Sequence, residues 1–205
     1  MKPLTITRRM NGKMDGMYAL NTSPSNNPFC QAMMQRSDLI CSHCYSPKTE
    51  KRYKQTKPAW VRNGNILSSR LLKDDEINLI KGRDVFRFDA HGELINRTHY
   101  LNLVKFAEIN ESVNFALWTK RPDIVHDGGI VKLANMIYVY STPKLNVLKP
   151  KVPKDFHRVF SVYTPDFIEE NNIMINCGDK HCADCRTCYE FNNVVFINEE
   201  LKRGT

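Results

Sequence analysis

Hydrophobic residues along this chain come in short runs that stop at a threonine and then a proline. "MYALNTSP" (17–24) ends in Thr22 and Pro24, and "NFALWTKRP" (114–122) in Thr119 and Pro122. "MIYVYSTP" (136–143) ends in Thr142 and Pro143, and "VFSVYTP" (159–165) in Thr164 and Pro165. The runs have strand length and are rich in β-branched and aromatic residues. A threonine hydroxyl caps free N–H groups and proline suits the first helical position, so each phrase predicts a strand followed by a helix start. Two further runs, "DVFRFDAHG" (84–92) and "IMINCG" (173–178), predict strands without the phrase. Between the runs, 97–110 places Tyr100, Leu103, Val104 and Ala107 on one helical face. Residues 58–72 carry Trp60, Ile66, Leu67 and Leu71 at helical spacing.

Strands alternating with helices over short connections predict parallel βα units. The expected fold is an α/β partial, open β/α barrel of about six parallel strands, with a C-terminal cysteine-rich metal-binding extension. The prolines at 150 and 153 leave no room for a long helix in 144–156, so the second half should be spare. Cysteine density rises abruptly near residue 176, dividing the chain into a barrel over 1–176 and an extension over 177–205.

The 205 residues, 41% hydrophobic, suffice for one ordinary core. No apolar run approaches the roughly 20 residues of a bilayer span. The N-terminal "MKPLTITRRMNGKMDG" has no apolar stretch behind its basic residues, so a cytoplasmic protein without a membrane partner is expected. There, seven cysteines in clusters read as metal ligands before disulfides.

The formal charge of +8 gathers in "SPKTEKRYKQTKPAWVR", where Lys48, Lys51, Arg52, Lys54, Lys57 and Arg62 face one acid, Glu50. Such a run is either a solvated helix face or a rim that steers an anionic partner, nucleic acid included. Tyr53 and Trp60 lie among the charges, where rings could stack on bases.

The cysteines divide as three and four. Cys177, Cys182, Cys185 and Cys188, spaced C-x4-C-x2-C-x2-C, can wrap one closed centre, zinc or a [4Fe–4S] cluster. Cys30, Cys41 and Cys44, spaced C-x10-C-x2-C, leave one coordination position open. At a zinc ion His43 or His91 could fill it. An open position is what separates chemistry from scaffolding at a metal. Barrel chemistry sits on loops after the strands, and the predicted strands bring Asp89, His91, Gly92, Glu93, Thr119 and Lys120 to the same mouth as the first three cysteines.

A three-cysteine loop after strand one resembles the radical S-adenosylmethionine enzymes. The usual spacing there is C-x3-C-x2-C with an aromatic residue before the last cysteine, where this chain has His43. The family's Gly-Gly-Glu-like motif after strand two corresponds to "AHGEL", with Gly92 and Glu93 expected at the cofactor amine. The chain also resembles a phage family, the gene-product-eighty-eight-like proteins. The shared motifs are "NTSPSNNPFC", "CSHCY", "RFDAHGE", "WTKRP" and "CADCRTCY", spanning about Asn21 to Tyr189.

These resemblances imply an open [4Fe–4S] cluster on Cys30, Cys41 and Cys44 that chelates S-adenosylmethionine. Lys120 would meet the cofactor carboxylate or an anionic or nucleotide-containing substrate. Reductive cleavage of the cofactor would start hydrogen abstraction from that substrate. The competing expectation is a non-catalytic phage metalloprotein, stapled by zinc or iron–sulfur centres, that binds nucleic acid or a host protein.

Overall fold

The computed structural model describes residues 3–178 and 180–201; positions 1, 2, 179 and 202–205 of the two expected units lie outside them. Six strands form one open, all-parallel sheet in sequential order. They are β1 (Tyr18–Leu20), β2 (Val85–Phe88), β3 (Asn114–Thr119), β4 (Met136–Ser141), β5 (Arg158–Tyr163) and β6 (Phe196–Glu200). This is the arrangement of a partial β/α barrel.

Five of the six expected strands fall where the runs predict them. The sixth does not. Residues 173–178 form no strand and hold one isolated bridge, Cys177 to Glu199. The strand is instead "FINEE", beyond the last cysteine, which pairs with β5 from Val159–Phe196 to Tyr163–Glu200. Asn176 and Asn198 tie the two segments together: Asn198 N donates to Asn176 Oδ1 at 2.8 Å and Asn176 N to Asn198 O at 3.2 Å.

Seven α-helices accompany the strands among the described residues: α1 (Pro28–Met34), α2 (Ser46–Arg52), α3 (Thr56–Ser69), α4 (Arg97–Ile109), α5 (Pro122–Asp127), α6 (Pro165–Asn171) and α7 (Cys182–Cys185). The prolines do start α5 and α6, but the threonines do not cap them. Their hydroxyls go elsewhere: Thr22 to Asp89, Thr119 to Glu93 and Thr164 to Asn146. No helix joins β4 to β5: the prolines at 150 and 153 exclude a long one as expected, but the phrase at Thr142 and Pro143 does not start even a short one.

Strand alternation divides the side chains between two faces. Phe86, Phe88, Phe115, Leu117 and Tyr138 point outward, where Leu67 of α3 and Tyr100, Leu103 and Phe106 of α4 cover them. The rings of Phe86, Phe88, Phe106 and Phe115 interlock, with Phe88 stacked on Phe115 at 4.9 Å. The concave face carries Val85, Ala116, Ile137 and Val139. Here the cysteine-rich segment folds back onto the sheet: Cys182, Cys188 and Tyr189 pack against Val85 and Ala116, and Cys177 and Cys188 against Ile137 and Val139.

Candidate metal and cofactor site in the mouth of the sheet

The loop after β1 crosses the mouth from one side to the other. Asn27 caps α1, its side chain accepting from Phe29 N at 3.0 Å, and Cys30 lies on that helix. The chain then reaches β4, where Ile40 N donates to Pro143 O at 2.9 Å. Cys41 and Cys44 follow in a tight 3-10 turn, with Cys44 N donating to Cys41 O at 3.1 Å. The rest of α1 and this crossing account for the ten residues between Cys30 and Cys41.

Burial pushes the Cys30 and Cys41 thiols up, and nearby Glu93 and Cys44 add to the effect. Lys120 opposes it at Cys41. The Cys30 and Cys41 thiols would stay protonated unless a metal displaced the protons.

Asparagines of the lead-in stitch this loop to the one after β2. Asn21 Oδ1 accepts from His91 N at 3.1 Å, and Asn27 Nδ2 donates to Glu93 O at 2.9 Å. Thr22 donates to Asp89 Oδ1 at 2.8 Å. Gly92, at φ +99°, passes so close to Thr22 that a Cβ there would sit 2.1 Å from Thr22 Oγ1. No side chain fits, which is why the turn is glycine.

Glu93 is buried, and its carboxylate is fixed by three donors: the Thr119 hydroxyl, Leu94 N at 2.9 Å and Lys120 N at 2.8 Å. Lys120 Nζ donates to Ser141 Oγ at 3.1 Å. Asp89, His91, Gly92, Glu93, Lys120 and the exposed His43 line one cavity of about 1130 Å³ together with Cys30, Cys41 and Cys44. Thr119 does not reach that lining; it acts on the cavity through Glu93. His91 is stacked on Trp60 at 4.5 Å and bonds Ser46 Oγ through Nδ1 at 2.9 Å. Burial, with Arg87 adding to it, lowers its pKa to about 4, so the ring is neutral. This corrects the expectation for Trp60: it is buried against His91 and not free to stack on a base.

The second cysteine group lines the same cavity from below, through Cys177, Cys182 and Cys188; Cys185 is exposed. Burial raises the Cys188 thiol to about 12. Two cations that sequence reasoning missed hold this region. Lys13 Nζ lies 3.8 Å from Cys177 Sγ and pairs with Glu199. Arg158, buried on β5, donates to Asn192 Oδ1 at 2.8 Å and to the carbonyls of Val194 and Glu190. A third, Arg87, lines the cavity near Cys182 and Cys188. Period-two alternation would have found Arg87, since it shares a face of β2 with Val85.

Lys48 and Arg52 of the basic run reach the cavity rim, whereas Glu50 turns inward to Ser23 and Ser25. Among the described residues, no three His, Cys, Asp or Glu groups close on a single metal ion, and no helix is long and apolar enough to cross a membrane.

An open parallel β/α sheet with cysteine groups above and below one cavity defines the class of protein. Residues 5–204 match the model of the Gene product 88 family, and the chain belongs to that family. Comparison with curated proteins and with solved structures gives no match.

Proposed function

We propose that the chain is an iron–sulfur protein of the radical S-adenosylmethionine type. Cys30, Cys41 and Cys44 would hold an open [4Fe–4S] cluster, and Cys177, Cys182, Cys185 and Cys188 a second centre. The observation that carries this reading is the meeting of three thiols and one fixed carboxylate, Glu93, on a single cavity.

The donor set suits a cluster better than one ion. Zinc draws its ligands to about 2.0–2.3 Å of a single point, and no group here closes so tightly. A four-iron cluster takes one thiolate per iron and spreads them. When bound, such a cluster supplies one open coordination position and one electron.

The chain's own residues do the rest. A carboxylate offers about four acceptor positions, and Glu93 has spent three, leaving one for the cofactor amine. Lys120, tethered to Ser141, offers a cation for a carboxylate beside it. The cavity also has room for a nucleoside-sized cofactor with a substrate beside it.

Anaerobic iron, sulfide and zinc analysis with electron paramagnetic resonance tests the reading. S-adenosylmethionine should perturb the spectrum of the reduced first cluster. Glu93→Ala should keep its iron and lose most of that response, having lost a charge-assisted hydrogen bond worth roughly 1.5–3 kcal/mol. Cys44→Ala should lose the first cluster alone. A reduced, fully loaded cluster that ignores saturating cofactor would sink the proposal.

A second reading, a stapled phage scaffold that binds nucleic acid or a host protein, draws on the packing of Cys182, Cys188 and Tyr189 into apolar surroundings. That packing favours a structural role for the C-terminal centre. Zinc without iron in the purified protein would select this reading.

A further inference from the structure

Beside the C-terminal cysteines, part of the cavity wall is built from one cation and two aromatic rings. Arg87 enters it from β2, and its guanidinium carbon stands 3.8 Å from the centroid of the Trp118 ring on β3. Phe160 of β5 continues the aromatic surface, its ring 4.5 Å from that of Trp118. All three residues line the cavity.

Arg87 is not held as a structural arginine is held. Arg158, on the same sheet, shows the contrast: its guanidinium is clamped by a side-chain oxygen and two carbonyls. Among the described residues Arg87 has no carboxylate within ion-pair distance, and its Nε is buried without a hydrogen-bond partner. Trp118 Nε1 is also unpartnered, and among the described residues the Tyr189 hydroxyl has no protein neighbour but Arg87 to turn to. Buried polar groups are nearly always satisfied, so a cluster of unmet ones calls for a missing partner. Lys13 stands 3.8 Å from Cys177, while Arg87 is the largest cationic influence on the Cys182 and Cys188 thiols; on the concave face Arg87 still has no carboxylate of its own among the described residues. A guanidinium lying on an indole keeps its planar N–H edge available for an anion. The next cation up the concave face, Lys120, is likewise bonded to a hydroxyl and not to a carboxylate.

We propose that Arg87 and Trp118 form a binding site for a flat organic acid, its anionic group on Arg87 and its apolar body against Trp118 and Phe160. Carboxylate and phosphate both suit a guanidinium fork. The site needs the cavity and the sheet, and Arg87 would serve the acid alongside the neighbouring Cys182 and Cys188.

The test is calorimetric titration of the full chain, purified without oxygen, with benzoate, phenyl phosphate and benzyl alcohol. At least one of the two acids should bind at millimolar concentration, and the better of them tells carboxylate from phosphate. The neutral alcohol should not bind. Arg87→Gln should weaken the acid about tenfold or more, with metal content unchanged. If that variant does not fold, Arg87→Lys replaces it; it keeps the charge, discards the planar fork and should lose most of the affinity. The proposal is overturned if neither acid binds, if the alcohol binds equally well, or if the folded Arg87 variant binds like the parent. Iron and zinc analysis of the same samples reports separately on the iron–sulfur reading.

Discussion

Asp89 Oδ2 lies 3.7 Å from His99 Nε2 behind the cavity wall, and neither atom has a hydrogen-bond partner. His99 Nδ1 accepts from Ile95 N at 3.3 Å, which puts the ring proton on Nε2, facing the carboxyl. Burial lowers the His99 pKa to about 3 and raises that of Asp89 well above the carboxylate range, with Glu93 adding to the latter. The two act oppositely on stability. Between about pH 3 and 6.5 the unfolded histidine binds a proton that the folded one refuses, so stability rises with pH. Above about pH 4 the folded Asp89 keeps a proton that the unfolded one releases, so stability falls with pH. Relative to the parent, Asp89→Asn should therefore steepen the gain in stability from pH 4 to 6.5. His99→Gln should reduce or reverse it. Urea titrations across that range check the signs; parallel profiles for all three proteins would refute the pairing.

Thr119 touches no part of the cavity, yet it should matter to what the cavity holds. Its hydroxyl donates to Glu93 and its oxygen accepts from Arg121 N at 2.9 Å. Thr119→Val keeps the shape and removes the donor. We expect a loss of about 1–3 kcal/mol in stability and a weakened spectroscopic response to S-adenosylmethionine, with iron content preserved. Thr119→Ser should restore the response. A response unchanged in the valine variant would show that Glu93 needs no support from β3.

Gly92 and Gly12 both have positive φ, at +99° and +62°, but only Gly92 is crowded. Gly12→Ala meets open space and should cost about 1 kcal/mol of backbone strain. Gly92→Ala must also push Thr22 aside, breaking its bond to Asp89, and should cost a further 1–3 kcal/mol or so. Thermal denaturation of the two variants checks the difference. Equal losses would mean that the loops after β1 and β2 are not locked together as described.

Much of this was legible in the sequence, and the misses have physical causes. Five strands are visible because β-branched and aromatic runs, four of them bounded by proline, admit little else. The sixth was misassigned because "IMINCG" has strand composition, yet Asn176 and Cys177 N both bond Asn198 O from outside the sheet. The threonines were read locally, as helix caps, whereas their hydroxyls bond side chains as distant as Asp89 and Glu93. The mouth residues emerged because strand ends place them there. Lys13 and Arg158 stayed hidden because they touch the C-terminal cysteine loop from 164 residues away and from a buried strand position; no spacing rule connects such positions.

The C-terminal group should be part of the folding energy. Cys188 packs against both apolar clusters of the concave face, so a metal at Cys177, Cys182, Cys185 and Cys188 would fix the segment that supplies β6. Metal binding to ligands that are disordered when unfolded adds directly to stability. Cys185→Ser, at an exposed position, should lower the melting temperature through metal loss and not through packing. Chelation should lower the parent's melting temperature towards that of the variant and change the variant less. A Cys185→Ser protein that melts like the parent with full metal content would refute the shared centre.

The basic run presents uncompensated charge because its one acid has turned away. Glu50 accepts from Ser23 and Ser25 inside the fold, while Lys51 and Arg52 at the end of α2 and Lys54 just beyond it are exposed. Arg52 lies over the exposed Tyr53 ring at 5.6 Å, so one aromatic face is present at the rim even though Trp60 is buried. If this face gathers an anionic partner at the cavity, binding of a short single-stranded oligonucleotide should weaken steeply with salt, since each neutralised phosphate releases counterions. Replacing Lys51, Arg52 and Lys54 by glutamine should then lower the slope of log affinity against log salt by about 2, at roughly 0.7 per contact. The melting temperature should hardly move, because solvated side chains contribute little to stability. Fluorescence anisotropy from low to physiological salt measures the slope. The same slope in the triple variant and the parent would leave the run as a solvated helix face.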